Sequence, residues 1–242
     1  MSDPIRIAMW SGPRNLSTAL MRSFGARADC AVWDEPFYAA YLTATGLEHP
    51  MRTAVIAAGE TDPAKVAQAC LGPAPGGKAL FYQKHMAHHM LPGFPRDWTD
   101  GVTNVFLIRD PAHVVASYRA KRENPTLADL GFQQQRALFE QAADRLGTAP
   151  PVIDAARVLE NPRAMLGALC GRIGIAFDEA MLSWPAGPRP DDGAWAPHWY
   201  ASVWASTGFA PPDRASPPLD DDGRRLADRA MPAYLALLAC AL

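Results

Sequence analysis

Closely spaced cysteines are missing from this sequence. The four that it has lie far apart and form no CxxC pair: Cys30, Cys70, Cys170 and Cys240. Zinc knuckles and dithiol redox motifs need such pairs, so the spacing excludes both. Isolated thiols suit a reducing compartment, and we therefore expect a cytoplasmic protein.

A large net charge and a long apolar run are also missing. The 23 lysines and arginines nearly balance the 25 acidic residues, so the formal net charge is only -2. No general attraction to nucleic acid or to a membrane is expected, which leaves a small molecule as the expected partner. The N-terminal MSDPIRIAMW lacks the basic and then apolar pattern of a signal peptide. The apolar stretch 233–242 is shorter than the roughly 18 residues that cross a bilayer, and it predicts a terminal helix on the core.

What the sequence does contain is an alternation of strand-like and helix-like segments. Short apolar runs bounded by turn residues alternate with runs of helical period, which is typical of a mainly parallel sheet flanked by helices. We predict one α/β domain over residues 1–242, with a region rich in tryptophan and proline at about 184–242. The predicted strands are Arg6–Trp10, Ala31–Trp33, Ala79–Gln83, Asn104–Ile108 and Val152–Asp154.

Periodicity and capping residues predict the helices. The first has an apolar stripe formed by Leu16, Ala19, Leu20 and Phe24. A second begins at Pro111 with Asp110 as its cap, and another begins at Pro162 after Asn161. A longer helix is predicted over Leu127–Leu146.

Three segments rich in proline and glycine predict loops, at 71–78, 184–196 and 208–218. Four tryptophans lie in or beside the second of these segments: Trp184, Trp195, Trp199 and Trp204. They indicate either an aromatic wall of a ligand site or a satellite hydrophobic cluster under a long loop.

The segment IRIAMW-SGPRNLSTAL joins an apolar strand to an amphipathic helix through a glycine–proline turn. Free backbone N–H groups and the positive end of the helix dipole meet at such a junction and favour an anion. Arg14 adds a planar positive charge, and Ser17 and Thr18 add hydroxyl donors. The residues predicted around the anion are Gly12, Pro13, Arg14, Asn15, Leu16, Ser17 and Thr18. The plainer alternative is an ordinary turn with its arginine in solvent.

The lysine of nucleotide triphosphatases is absent from this loop. Counted from Gly12, the Walker A pattern GxxxxGK[ST] would need a glycine at position 17 and a lysine at position 18. The sequence has Ser17 and Thr18 instead, which disfavours ordinary ATP or GTP chemistry.

The segment NVFLIRDPAHVVASY places a second anion site after another apolar strand. Arg109 stands at the strand's carboxyl end, and Ser117 lies on the helix that follows. We expect the two to hold a second phosphate of a nucleotide whose first phosphate lies on the Arg14 loop. The alternative is a Walker B strand in which Asp110 holds magnesium for phosphotransfer.

WSGPRNLSTAL followed by FLIRDPAHVVASY resembles the 5'-phosphosulfate loop and the 3'-phosphate motif of the sulfotransferases that use 3'-phosphoadenosine 5'-phosphosulfate (PAPS). The resemblance extends to VLENPRAMLGALCGRIGIAFDEAML and to GPRPDDGAWAPHWY, which is similar to the family's glycine-rich cofactor loop and contains Arg189. It implies a P-loop-type three-layer fold, PAPS as co-substrate, no metal, and Arg189 as a further phosphate contact. The sequence departs from the family at Arg14, where many relatives have lysine, and at Leu16, where glycine is usual.

The resemblance also implies catalytic residues. Bacterial and Golgi-type relatives place a base glutamate much as VWDEPFYAAYL places Glu35, so Glu35 is the expected base. In FYQKHMAHHM, Lys84 and His85 resemble the Lys-x-His region of cytosolic members, although the spacing differs by one. His85 is therefore the rival base, and Lys84 is expected to stabilise the leaving oxygen.

Structural alternatives stay open for these residues. The two carboxylates at 34 and 35 can instead form ion pairs with Arg14 or Arg22. The histidines of FYQKHMAHHM have helical spacing that suits a metal, but no HExxH pattern accompanies them. We therefore predict no metal site and expect His88 and His89 at the surface or as caps.

Together these features predict a sulfotransferase that acts on a hydroxyl or amine of a small, partly apolar acceptor. The acceptor would lie between the DEPFY segment and the tryptophan-rich region. A kinase-like phosphotransferase and a non-catalytic nucleotide-binding homologue are the alternatives. Some proteins similar to this subgroup carry aminotransferase-like names, but the sequence contains no motif that supports pyridoxal phosphate chemistry.

Overall fold

A computed structural model describes residues 3–120, 124–212 and 215–242. Within these ranges five parallel strands form one sheet in the order β2-β3-β1-β4-β5. Each overlaps a strand predicted from the sequence, so the predicted α/β class is confirmed. The strands are β1 (Ile5–Ser11), β2 (Cys30–Asp34), β3 (Leu80–Met86), β4 (Thr103–Ile108) and β5 (Val152–Asp154).

Helices cover both faces of this sheet. In chain order they are α1 (Ser17–Gly25), α2 (Tyr38–Thr45), α3 (Arg52–Ala58), α4 (Pro63–Cys70), α5 (Pro111–Arg119), α6 (Leu127–Leu130), α7 (Phe132–Leu146), α8 (Ala155–Glu160), α9 (Pro162–Arg172), α10 (Ala196–Trp199), α11 (Ala201–Trp204) and α12 (Asp221–Leu238). None of them, in the described ranges, has both the length and the apolar character needed to cross a membrane.

Local capping signals located two of the helix starts correctly. Asp110 Oδ1 accepts a hydrogen bond from the backbone N–H of Ala112 at 2.9 Å, and α5 begins at Pro111. Asn161 caps α9 in the same way. Both predictions are confirmed because a side-chain acceptor and a following proline act within a single turn.

The single long helix predicted over Leu127–Leu146 is wrong. Gly131 has a φ of +73° and divides the segment into α6 and α7. A left-handed residue of this kind ends a helix, and glycine adopts that conformation without steric cost. The prediction failed because hydrophobic periodicity continues across the break.

Alternate side chains of each strand enter two hydrophobic cores. Trp10 and Phe106 belong to the first, which also contains residues of α4, α5, α7 and α12. Met9 and Leu107 belong to the second, together with residues of α1, α8 and α9. The predicted terminal helix is present as part of α12, but it ends at Leu238, and the last residue then bonds to β5.

A third, smaller cluster lies apart from the two main cores. It joins Tyr38 and Leu42 of α2 to Val55 of α3, and it takes Trp195 and Tyr200 from the tryptophan-rich region. Glu35 connects β2 to α2, so the cluster lies next to the carboxyl ends of the strands. Ligands of parallel sheets bind at such strand ends.

Candidate active site

A cavity of about 290 Å³ lies at the carboxyl edge of the sheet. It brings together most of the residues that the sequence predicted for the site. Those that line it are Pro13, Arg14, Asn15, Leu16, Ser17, Thr18, Glu35, Lys84, Arg109 and Ser117. The predicted residues outside its lining are Gly12, His85 and Arg189.

The loop between β1 and α1 presents an uncapped helix terminus to this cavity. No side chain caps α1, and its first turn contains no acidic residue. Arg14 and Leu16 have φ angles of 58° and 29°, in a backbone region that residues other than glycine rarely adopt. Asn15 Nδ2 donates to Leu107 O at 2.8 Å and ties the loop to β4. The backbone N–H of Ser17 already donates to Asn15 O, so the N–H groups that follow it in the first turn of α1 are the ones open to an anion.

Gly12 supports this loop from outside the cavity. A Cβ atom at this position would lie 2.5 Å from the backbone oxygen of Leu130. A real side chain does not tolerate that distance, so the residue allows the β1–α1 loop to pass close to the end of α6. The close approach shows a packing role for Gly12.

The predicted second anion site joins the first directly. Arg14 Nε donates to Ser117 Oγ at 3.1 Å, and Arg109 Nη1 donates to the backbone oxygen of Arg14 at 2.8 Å. Burial and then the positive charge of Arg109 lower the pKa of Arg14. Two guanidinium groups therefore repel each other within one cavity, and an anion between them would relieve that repulsion.

A buried lysine, rather than an arginine, pairs with the two carboxylates at the end of β2. Lys84 Nζ lies 2.8 Å from Asp34 Oδ1 and 2.6 Å from Glu35 Oε1. Only 1% of the lysine side chain is exposed. The sequence alternative that paired these carboxylates with Arg14 or Arg22 is wrong, because β2 pairs with β3 in a register that aligns Asp34 with Lys84.

This buried cluster changes the protonation of its members. Burial, together with the negative charge of Asp34, raises the pKa of Glu35 to about 7 against the opposing effect of Lys84. Burial alone would lower the pKa of Lys84, but Asp34 and Glu35 together raise it well above its usual value. Glu35 also has a φ of +43°, a strained conformation of the kind that clusters at functional sites.

His85 points away from the cavity. Successive side chains of a strand alternate between its faces, so His85 lies opposite Lys84. Its ring packs against Trp10 and Trp98 with centroids 4.6 and 5.1 Å apart, and burial lowers its pKa to about 3. The position of His85 in the first core gives no support to its predicted role as base.

His88 and His89, in contrast, line the cavity. His89 is buried, and its ring stacks on Tyr38 and Tyr41 with centroids 4.6 and 4.8 Å apart. Burial, followed by the effect of His88, lowers the pKa of His89 well below its usual value. The expectation that these histidines lie at the surface is wrong for His89, because β3 continues three residues beyond its predicted end and directs the following turn inward.

Arg189 lies near the C-terminal end of α1 and not at its start, where the Arg14 loop lies. Its Nη1 atom is 3.7 Å from the position that a Cβ of Gly25 would occupy. Burial and the neighbouring Arg22 lower its pKa. A phosphate contact from Arg189 in this arrangement has no support from the geometry.

Residues 184–204, which we call the covering segment, supply a wall that the sequence identified only in outline. Trp195, Trp199 and Tyr200 line the cavity. Tyr200 OH donates to Asp34 Oδ2 at 2.7 Å and accepts from Trp195 Nε1 at 3.1 Å. Two of the four tryptophans therefore form the aromatic wall, whereas Trp184 packs against Phe209 elsewhere. The clustered tryptophans were the signal for this wall, but nothing in the pattern indicated Tyr200.

Tyr38 and His49 are further cavity residues that sequence reasoning missed. The Tyr38 hydroxyl is hydrogen-bonded to His49 Nδ1, and the His49 ring stacks on Trp199 with centroids 5.8 Å apart. Burial raises the pKa of Tyr38, so its phenol stays neutral. The cavity lining therefore combines aromatic side chains with the two cationic side chains of Arg14 and Arg109.

Comparisons with known proteins identify the family and support the fold. The family model described as "Sulfotransferase domain" matches residues 5–241. In solved structures, the sulfotransferase domain of the Synechococcus PCC 7002 olefin synthase has a TM-score of 0.54 at 16% identity, covering 95% of each chain. Mouse sulfotransferase SULT7A1 complexed with PAP has a TM-score of 0.54 at 12% identity, covering 96% of this chain and 85% of that one. At such identities the two structures support the fold alone.

A relative from Arabidopsis thaliana has a different kind of name. It is "Branched-chain-amino-acid aminotransferase-like protein 1", which is 37% identical over 234 residues, 97% of this chain and 42% of its own length. The chain thus spans less than half the length of the curated relatives it matches. The family match covers nearly the whole of the present sequence, and this chain belongs to the sulfotransferase domain family.

Proposed function

We propose that this protein transfers the sulfuryl group of PAPS to a hydroxyl or amine of a small acceptor. The observation that carries the proposal is one cavity that joins an uncapped helix terminus, two adjacent arginines and a buried glutamate–lysine pair. Anion binding, acceptor activation and charge stabilisation thereby act on one reacting centre.

The cationic side chains of the cavity fit a nucleotide with two separate anionic groups. The start of α1, with Arg14, Ser17 and Thr18, would hold the 5'-phosphosulfate. Arg109 and Ser117 would hold the 3'-phosphate. The mutual repulsion of the two guanidinium groups supports this assignment, because a bound dianion would reverse an unfavourable interaction.

Glu35, which lines the same cavity, is suited to take a proton from the acceptor. A carboxyl whose pKa is raised to about 7 is a stronger base than an ordinary glutamate and is still ionised at neutral pH in a large fraction of molecules. The acceptor atom forms a bond to sulfur as the bond from sulfur to the 5'-phosphate oxygen breaks. The acceptor's proton moves to Glu35, and Lys84 supplies positive charge beside it.

Phosphotransfer from Mg-ATP suits the site less well. The Walker B alternative needs Asp110 as a magnesium ligand, but its Oδ1 accepts from the backbone N–H groups of Ala112 and His113. The residue already satisfies the start of α5.

Pyridoxal phosphate chemistry also lacks support from the cavity lysine. A Schiff base needs a neutral amine, whereas the carboxylates around Lys84 raise its pKa and keep it charged. We attribute the aminotransferase-like name of the longer Arabidopsis relative to the part of it that this chain does not match. An unchanged visible spectrum on addition of pyridoxal phosphate would agree with this view.

The experiment is calorimetric binding of 3',5'-adenosine bisphosphate (PAP), AMP and Mg-ATP to the wild type, Arg109→Ala and Arg119→Ala. Arg119 is the matched control because it lies on the same stretch of chain but pairs with Asp220 outside the cavity. We expect PAP to bind best. Arg109→Ala should lower the ratio of PAP affinity to AMP affinity by roughly 10- to 100-fold, whereas Arg119→Ala should leave this ratio unchanged. Preference for Mg-ATP, or equal loss in both variants, would contradict the nucleotide assignment.

Transfer is then measured with PAPS and a panel of hydroxyl and amine acceptors. Glu35→Gln should bind PAP as the wild type does and yet lose transfer, because only the base is removed. Tight PAP binding with no transfer to any acceptor would favour the non-catalytic alternative.

A further inference from the structure

Every N–H group of the buried lysine is already used in the structure. Lys84 Nζ donates to Asp34 Oδ1 at 2.8 Å, to Glu35 Oε1 at 2.6 Å and to Tyr200 OH at 2.6 Å. An ammonium group has three donors, so none is left for a leaving oxygen. Lys84 can assist the leaving group only if one of these three partners releases it.

Glu35 is the partner whose hydrogen bond weakens during the reaction. When a carboxylate takes up a proton it becomes a neutral acid, and a hydrogen bond between two charged groups becomes a weaker one. The other two partners do not change in this way. Asp34 is deeper and already accepts from Tyr200 OH and from the backbone N–H of Gly193.

We propose that Asp34 is a positioning residue: it holds Lys84 in place and shares its charge, so that proton uptake by Glu35 frees one lysine N–H for the leaving oxygen. This inference rests on the proposed function. The proton passes from the acceptor to Glu35, Lys84 keeps all three of its protons, and the sulfur–oxygen bond to the nucleotide breaks. Release of the lysine N–H thus coincides with the development of negative charge on the leaving oxygen.

The charge of Asp34 has a second effect on Glu35. Two carboxylates that share one ammonium carry a net negative charge, which opposes ionisation of the second carboxylate. Removing the charge of Asp34 should therefore make Glu35 easier to ionise and a weaker base. The other titratable or charged groups around the carboxylate are Lys84, Tyr38 and Tyr200, and across the cavity Arg14, Arg109, Tyr118, His49, His88 and His89.

The test compares Asp34→Asn with Tyr200→Phe in the full chain. Tyr200→Phe removes the hydrogen bond from Tyr200 OH to residue 34, whereas Asp34→Asn keeps an amide oxygen to accept it and removes only the charge. We expect the acidic limb of the pH profile of kcat/KM to move down by about one pH unit or more in Asp34→Asn and to stay in place in Tyr200→Phe. We also expect kcat to fall about tenfold in Asp34→Asn with the KM for PAPS nearly unchanged.

A direct titration separates this inference from the proposed function. The carboxyl carbon of Glu35 is followed by NMR in protein labelled with ¹³C-glutamate and assigned with Glu35→Gln. A lower Glu35 pKa in Asp34→Asn supports the shared charge even if no acceptor is sulfated, in which case the proposed function alone fails. An unchanged pKa in Asp34→Asn, or an equal change in Tyr200→Phe, overturns the inference whether or not transfer occurs.

Discussion

A buried ion pair attaches the covering segment to α1, the helix that follows the β1–α1 loop, and its removal gives a sharp test of the structure. Arg22 Nη2 of α1 lies 2.8 Å from both carboxylate oxygens of Asp192. The two side chains are only 2% and 5% exposed. Asp192 also accepts from the backbone N–H of Arg189 and from Trp204 Nε1, at 2.9 Å each. One carboxylate therefore organises the segment that forms the aromatic wall.

The perturbation is Arg22→Met, which keeps the bulk of the side chain and removes its charge. Asp192 is then left buried without its cation, a change that costs about 3 to 5 kcal/mol in comparable pairs. For a domain of this length each kcal/mol lowers Tm by about 2 to 4 °C, so we expect a decrease of roughly 6 °C or more. If the covering segment detaches before the domain unfolds, the free energy of unfolding of the whole domain falls by no more than the free energy of that detachment.

The assay combines thermal unfolding with hydrogen exchange across residues 184–204. Arg136→Met is the matched control, because Arg136 pairs with Glu140 at 2.7 Å on an exposed helix face. We expect it to cost about 0.5 kcal/mol or less. The double substitution Arg22→Met, Asp192→Asn should recover stability relative to Arg22→Met, since no charge remains buried and the amide oxygen still accepts from Arg189 and Trp204. Equal losses in Arg22→Met and Arg136→Met, with unchanged exchange in the covering segment, would refute this reasoning.

Three further predictions concern the site. Gly12→Ala should weaken PAP binding and lower Tm, because the added Cβ would lie 2.5 Å from the Leu130 oxygen. The control Gly167→Ala should raise Tm slightly, because the position in α9 has open space and alanine favours a helix. Calorimetry measures the binding, and thermal unfolding measures the Tm of both variants. His85→Phe should leave the acidic limb of the pH profile unchanged, because the ring lies in the first core, and a shift of that limb would restore His85 as the candidate base. Between the usual pKa of a glutamate and about pH 7, Glu35 is protonated in the folded state and ionised in the unfolded chain. A rise in pH through this range therefore lowers the free energy of unfolding of the wild type. The Tm of Glu35→Gln minus that of the wild type should therefore increase as the pH rises from about 5 to about 8. A Tm difference that stays constant over this range would contradict the raised pKa.

Much of the fold and half of the site could be predicted because their signals are local. An apolar run followed by a turn and an amphipathic stripe predicts a strand and the helix after it, and Asp110 and Asn161 fix helix starts within one turn. The same local order places Arg14 and Arg109 at the carboxyl ends of their strands. Once both strands are parallel and adjacent, the two residues must lie near each other.

The remaining features depend on which strands are neighbours and on which face each side chain lies. Lys84 and His85 are consecutive, yet alternation sends one into the cavity and the other into the first core. The pairing of Asp34 with Lys84 follows from the register of β2 on β3. Tyr200 is hydrogen-bonded to Lys84 across 116 residues of chain and to Asp34 across 166. The sequence by itself determined the elements and the loops that follow β1 and β4, because neighbouring residues encode them. Only the tertiary structure decided which carboxylates, lysine and tyrosine are hydrogen-bonded to one another, because strand order and register are set by packing between distant segments.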